Sequence, residues 1–279
     1  MTGVQAVEAI LIVGLDEPET AELRGRLDRP VLAFENLPRI LVNRGRLSVE
    51  HPYIMNHFVH VGRVVFHAIF EDDFDFLAAL ALWGGPCLSN ARGMMDLRHR
   101  LPGLVQSLAV TRFGQTPRGY ADRGTPVFAQ EERVAKWGEW HCGEGKARFS
   151  GAWAAEVPTL VEDYVEGEVV RIVLVGERAW QVRMAGDGWL KSIHHPDASM
   201  PIDPELLDDS RRLAAHFGLD TVGVDYMVAA DGSRHLLEVN HVPNVSVLAE
   251  VRSANLDLVV DWAGRDLPDG RTPPVSFAP

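Results

Sequence analysis

Two rhythms of apolar and polar positions run along this chain. Ala9-Ile10-Leu11-Ile12-Val13 is continuously apolar, the pattern of a strand buried on both faces. A turn at Gly14-Leu15-Asp16-Glu17-Pro18 follows, then a short helix pattern to Leu27, and Pro30 to Phe34 predicts a second strand. Ile40 to Val49 reads as a hairpin with Asn43-Arg44-Gly45 as its turn. Arg63 to Phe70 predicts a strand, Asp72 to Trp83 a helix with an acidic first turn, and Pro86 to Asn90 a last short strand. Strands alternating with helices over this region predict a small doubly wound α/β domain covering residues 1–90.

Beyond it, residues 91–114 read as a helical connection interrupted near Pro102-Gly103. Short strands and glycine-rich loops continue to about residue 165, so residues 91–165 form a connecting helix and a small second subdomain. Residues 166–264 read as an α+β subdomain, and 265–279, with four prolines, as a poorly ordered tail. Leu160–Tyr164, Val169–Val175 and Trp180–Met184 look like antiparallel strands. Asp203-Pro204 starts a helix that Gly218 stops. Strands at Thr221–Ala230 and His235–Asn240 flank the turn Asp231-Gly232-Ser233, and a short helix lies near Asn255–Ala263.

Composition narrows the function classes. With 46% hydrophobic residues over 279, the chain can bury a large core. A net charge of −12 spread along the chain argues against a nucleic-acid surface and gives no support to a membrane-surface role. The N-terminus lacks a basic n-region and no run approaches a membrane span, so a soluble, cytoplasmic protein is expected. Cys87 and Cys142 show neither a pairing pattern nor metal-ligand spacing.

Lysine is rare. Lys136, Lys146 and Lys191 stand against 24 arginines, which marks them as positions where a compact ammonium is wanted rather than a planar fork. Lys136 and Lys146 bracket a glycine-containing stretch of the kind that lets backbone amides approach a polyphosphate.

Glu238 and Asn240 stand two apart in a strand and so emerge on one face. Folding about Asp231-Gly232 can bring Asp225 beside Glu238. Three oxygen donors on one sheet face suit Mg²⁺, which commonly shares its shell with substrate phosphates. A hairpin with one solvated face would carry the same residues, but the lysines in a phosphate-type loop favour the metal.

With these residues in place, Glu238-Val239-Asn240-His241-Val242-Pro243 resembles the Glu-Val-Asn-x-x-Pro signature of ATP-grasp ligases. Val224-Asp225 is similar to their upstream metal aspartate, and Val161-Glu162-Asp163-Tyr164-Val165 to their adenine-contacting hinge. The loop Lys136-x-Gly-x-x-His-x-Gly-x-Gly-Lys146 looks like that of synapsins, themselves ATP-grasp proteins. Arg183 to Lys191 and Leu15-Asp16-Glu17-Pro18 are also synapsin-like. The resemblance covers about residues 9–262 and extends to carboxylate–amine ligases of the ribosomal-protein glutamate ligase type.

The resemblance implies an α/β pre-ATP-grasp domain followed by two subdomains that hold ATP between them. By position it assigns Lys136, Lys146 and His141 to the nucleotide phosphates or their lid. Glu162, Tyr164 and Val165 would line the adenine, Glu168 would reach the ribose, and Asp225, Glu238 and Asn240 would bind Mg²⁺ or Mn²⁺. Arg171, Arg183 and Lys191 would face the γ-phosphate and a developing acyl phosphate. Where the family carries a lysine shortly after an aspartate, this chain has Asp96-Leu97-Arg98, and Arg98 takes that place. The lid is short, so exclusion of water falls to the substrate or to a partner subunit, and a homo-oligomer stays open.

Three functions share these residues. One is an ADP-forming carboxylate–amine ligase acting on small-molecule or peptide carboxylates and amines. The second is a synapsin-like nucleotide-binding regulator without turnover, and the third a phosphotransferase. Asn240 favours an enzyme, since synapsins tend to lack that asparagine. Glu71-Asp72-Asp73, after the Arg63–Phe70 strand, would dock a cationic amine or a basic peptide, or simply complement a helix dipole.

Overall fold

The computed structural model describes residues 8–265, except 44, 115–116, 139–144, 185–188, 190–195 and 245–247. The chain divides into two compact units: residues 1–95 with 253–279, and residues 96–252. The sequence places residues 166–264 in one C-terminal subdomain. In the structure the chain from Ser253 onward belongs with the N-terminal unit instead.

The N-terminal unit is built on a six-stranded sheet. Its strands are β1 (Ala9–Val13), β2 (Val31–Phe34), β3 (Ile40–Asn43), β4 (Arg46–Glu50), β5 (Phe58–Phe66) and β6 (Cys87–Leu88). The order is β2-β1-β5-β4-β3, with β6 also on β5. β1, β2, β5 and β6 are mutually parallel, whereas β3 and β4 are antiparallel. β5 starts five residues earlier than the sequence suggests, because its first half pairs with β4.

α1 (Glu17–Arg26) is opened by a reciprocal cap: the Glu19 amide donates to Asp16 at 2.8 Å, and the Asp16 amide to Glu19 at 3.1 Å. α2 spans Phe74–Trp83 and α3 Ala91–Arg98. The last helix, α6 (Ala249–Gly264), is longer than the sequence suggests. Its Leu256, Val259 and Trp262 join Ile10, Ile12, Leu23 and Val65 in one core. Arg63, buried in β5, donates to the carbonyls of Trp262 at 3.0 Å and Arg265 at 2.6 Å, satisfying the end of that helix.

The second unit holds two antiparallel sheets. One comprises β7 (Arg118–Ala121), β8 (Pro126–Trp137), β9 (Lys146–Ala154) and β10 (Thr159–Asp163), in the order β7-β10-β8-β9. The other comprises β11 (Glu168–Val175), β12 (Arg178–Met184), β13 (Pro196–Met200), β14 (Thr221–Val228) and β15 (Arg234–Asn240), in the order β13-β12-β11-β14-β15. β10 therefore belongs to a different sheet from β11 and β12, although all three read alike in sequence.

α4 (Arg100–Leu108) packs on β15, and α5 (Pro204–Phe217) on β11 and β14. The break before α4 falls at His99 rather than at Pro102-Gly103. Pro102 sits in the first turn, where a missing amide costs no intrahelical bond. Beneath α5, Asp209 accepts from Thr111 Oγ1 at 2.6 Å, the Arg112 amide at 2.8 Å and the Tyr226 hydroxyl at 3.0 Å. Burial pushes the Tyr226 phenol up, so it stays a neutral donor.

Candidate active site

Strand register assembles the second unit's polar face. Arg171 on β11 stands opposite Asp225 on β14, and Asp225 opposite Glu238 on β15. Asn240, two residues beyond Glu238, pairs with Gly223. Directly opposed side chains share a face, so all four project together. Arg171 donates through Nε to Asp225 Oδ1 at 2.6 Å and through Nη2 to Oδ2 at 2.8 Å. Its Nη1 reaches the Pro243 carbonyl at 3.4 Å. Asn240 Nδ2 donates to Asp225 Oδ2 at 3.2 Å, which leaves the amide oxygen as the end available to a ligand.

Gly223 makes room for this arrangement. A Cβ there would lie 3.0 Å from Pro243 Cβ and 3.2 Å from Arg171 Cδ. Burial pushes the Asp225 carboxyl up, while the Arg171 guanidinium pulls it down.

The other sheet contributes cations by the same rule. Arg118 opposes Glu162, and Lys136 opposes both Leu160 and Lys146. Alternation therefore puts Arg118, Glu162, Lys136 and Lys146 on one face. Glu162 is buried and ion-paired on both oxygens, with Lys136 Nζ and, at 2.7 Å, with Arg118 Nε. Arg118 Nη2 also donates to the Leu236 carbonyl at 2.6 Å, fastening β7 to β15.

The two faces meet. Lys136, Glu238 and Val239 line one small cavity with Leu97, Arg100, Gly103 and Leu104. Burial holds the Lys146 ammonium below the ordinary lysine range. Glu238 opposes that depression, Lys136 and Arg100 deepen it, and Asp225 opposes it. Three cations and two carboxylates from both sheets and α4 thus share one electrostatic environment.

Several sequence expectations meet different surroundings. Arg183 opposes Val170, whereas Arg171 opposes Val182, so Arg183 lies on the other face of the sheet from the Asp225 group. There it is ion-paired with Glu168, the residue assigned to ribose. Glu162, expected against adenine, has its carboxylate taken up by Lys136 and Arg118. Tyr164 and Val165 do lie in the segment joining β10 to β11, and the Arg148 guanidinium stands 3.8 Å from the Tyr164 ring centroid. Arg98 is 1% exposed, whereas Arg100 lines the cavity and donates to the Trp137 carbonyl at 3.1 Å. His141 and Lys191 lie outside the described residues.

Arg100 and Arg118 are thus residues the sequence reading missed. Recognising Pro102 as a first-turn proline would have moved the helix start to Arg100. For Arg118 no local signal exists, since its partner is 44 positions away in Glu162.

The donor set fits a hard divalent cation. Among the described residues no three His, Cys, Asp or Glu side chains gather as a metal site, so the candidate is two carboxylates and an amide. An ionised carboxylate accepts about four hydrogen bonds. Arg171 and Asn240 use three positions on Asp225, which leaves Oδ1 with capacity beside Glu238 and the Asn240 oxygen.

No protein-family model and no curated protein matches the sequence. Solved structures match in shape. D-alanyl-alanine synthetase A from Vibrio cholerae aligns with a TM-score of 0.63 at 12% identity, over 93% of this chain and 98% of its own. The macrocyclase MdnC from Microcystis aeruginosa, bound with precursor peptide MdnA, aligns at 0.62 and 12%, over 91% and 99%. The ATP-grasp ligase PsnB, complexed with a phosphomimetic variant of its minimal precursor, Mg and ADP, aligns at 0.59 and 14%, over 92% and 99%. This chain has the ATP-grasp fold. The structures it resembles include ligases that cover nearly its whole length.

Proposed function

We propose that this protein is an ATP-dependent carboxylate–amine ligase that works through an acyl phosphate and releases ADP and phosphate. One observation carries the reading: Glu238 faces Lys136 and Arg100 across one cavity, with Asp225 and Asn240 beside Glu238 on the same sheet face and the Lys146 ammonium within their electrostatic reach. Such a surface suits a triphosphate that arrives with Mg²⁺. Asn240 and Glu238 would hold the metal with one oxygen of Asp225. The metal, when bound, would neutralise phosphate charge and align the terminal phosphoryl group.

The chain's own residues do the rest. Lys136, Lys146 and Arg100 neutralise charge on the phosphate oxygens as it spreads in the transition state. A substrate carboxylate oxygen attacks the γ-phosphorus, the bond to the β-phosphate oxygen breaks, and ADP leaves. An amine nitrogen then attacks the acyl carbon, phosphate departs with the bonding pair, and the nitrogen loses a proton. Arg171, pinned by Asp225, fixes the position of that carboxylate rather than acting as a mobile cation. Peptide substrates fit this reading, since MdnC and PsnB are solved with precursors.

The test supplies candidate carboxylates, free and in peptides, with hydroxylamine as the amine. A hydroxamate formed in step with ADP and phosphate supports the ligase. AMP and pyrophosphate as products would falsify it, because attack would then be at the α-phosphate. Tight MgATP binding with no product over a broad panel would instead favour a nucleotide-binding regulator.

A further inference from the structure

The N-terminal sheet ends in a short open edge. β3 pairs with β4 on one side, and among the described strands none borders its other side. The phase of the ladder is set by the Glu50 amide, which donates to the Arg39 carbonyl at 2.9 Å. By antiparallel alternation Arg39, Leu41 and Asn43 bond inward, while the amides and carbonyls of Ile40 and Val42 face outward. Leu41, 47% exposed, and Val42, 39% exposed, point to opposite faces. The loop between β4 and β5 adds Tyr53 at 89% and Met55 at 85% exposure. Sheet edges are ordinarily guarded by charged side chains, lysine above all, by proline, by a bulge or by being very short. The four residues Ile-Leu-Val-Asn of β3 hold neither lysine nor proline, and their register with β4 is unbroken.

Charge says what would add to this edge. In a chain of net charge −12, residues 39–49 contain Arg39, Arg44 and Arg46 and no acid. Arg39 is more than half exposed even with Glu50 at 3.6 Å and Asn56 at 3.0 Å, and Arg46 is exposed. We propose that β3 is a docking edge for an extended peptide of alternating apolar and acidic residues, which adds as a further strand. The outward amides supply main-chain bonds, Leu41 and Val42 grip the apolar side chains, and the arginines select acid over base. A second copy pairing through β3 would bring the hairpin's own arginines together, an unfavourable cross-strand match. A lipid surface would meet one face only and could not complete the outward amides. The surface belongs to the N-terminal unit alone and stands whether or not the ligase reading holds.

Fluorescence anisotropy with the full chain and a labelled Glu-Val-Glu-Val-Glu-Val-Glu peptide tests it. Saturable binding is expected, weakened by salt and absent for the Lys-Val counterpart. Val42→Pro removes an outward amide and leaves the bonds to β4 intact. It should weaken binding at least about tenfold, as should Arg46→Glu, with a retained cooperative thermal unfolding transition as the check on folding. No binding of the acidic peptide, equal binding of the lysine peptide, or binding indifferent to both variants would each overturn the proposal. So would a dimer in sedimentation that Val42→Pro dissolves, since the edge would then belong to a second copy. Vesicle binding that survives Val42→Pro, with no peptide binding, would overturn it too.

Discussion

Arg171 lies across Asp225 with Nε 2.6 Å from Oδ1 and Nη2 2.8 Å from Oδ2, a side-on pair buried between β11 and β14. Two planar groups bonded twice cannot rotate independently, so each fixes the other's orientation. The carboxylate proposed for a metal and the guanidinium proposed for a substrate anion are thereby positioned by one contact.

Removing one member leaves the other charge buried without compensation. Arg171→Met or Asp225→Leu alone should cost roughly 3–5 kcal/mol of stability, measured by urea unfolding. The double variant should recover most of that loss. If each single variant loses less than about 1 kcal/mol, water reaches the pair and it does not organise the site.

Gly223→Ala should disturb this pair without touching a charge. The new methyl meets Pro243 and the Arg171 side chain at 3.0–3.2 Å, so Arg171 must shift. Turnover is expected to fall more steeply than MgATP affinity, since the cations proposed for the triphosphate lie on β8, β9 and α4 and not on the strands that Gly223 joins. An equal fall in both would mean that the change propagates through the whole unit.

Lys136→Arg keeps the charge but puts a planar fork where a compact ammonium pairs with Glu162. MgATP affinity should drop at least about tenfold, ~1.4 kcal/mol. Calorimetry that finds the affinity unchanged would remove Lys136 from the phosphate site.

Lys146 carries a pH signature. Its folded-state pKa lies below the ordinary 10.5, chiefly through burial. Protonated Lys146 therefore costs stability in full below that depressed value, and the cost fades as pH rises from it towards 10.5. A phosphate beside the ammonium raises the pKa again. MgATP binding should then take up a proton in this window and weaken with rising pH. Calorimetry in buffers of different ionisation enthalpy reads that proton directly, and Lys146→Met should abolish it.

Arg98 and Arg100 are expected to separate by function. Both side chains are buried and partnered, so KM separates them: Arg100→Met should raise KM for ATP, while Arg98→Met should lower the unfolding temperature with KM unchanged. The reverse pattern would return the phosphate contact to Arg98.

Much of this molecule follows from local rules. The Asp16–Glu19 cap, the Asp203 start and the Gly218 stop of α5 are each set by a few neighbouring side chains, and the sequence shows them. Alternation alone places Glu238 and Asn240 on one face, and the hairpin turn at Asp231-Gly232 brings Asp225 to them. The rarity of lysine likewise singles out Lys136 and Lys146, which turn out to be cross-strand partners.

What remained out of reach depends on contacts between distant segments. The twelve positions from Arg171 to Arg183 suggest two cations on one surface, but the β11–β12 register is offset by one residue and side chains alternate, so they face opposite ways. Glu162 reads as a free hinge acid until β7 and β8 fold beside it and deliver Arg118 and Lys136. α6 follows β15 in the chain, yet its core partners are Ile10, Ile12 and Val65 near the other end. A single strand's sequence states which residues share a face. Only pairing with strands tens of residues away decides which face, and against which charges, because hydrogen-bond register is a property of two segments and not of one.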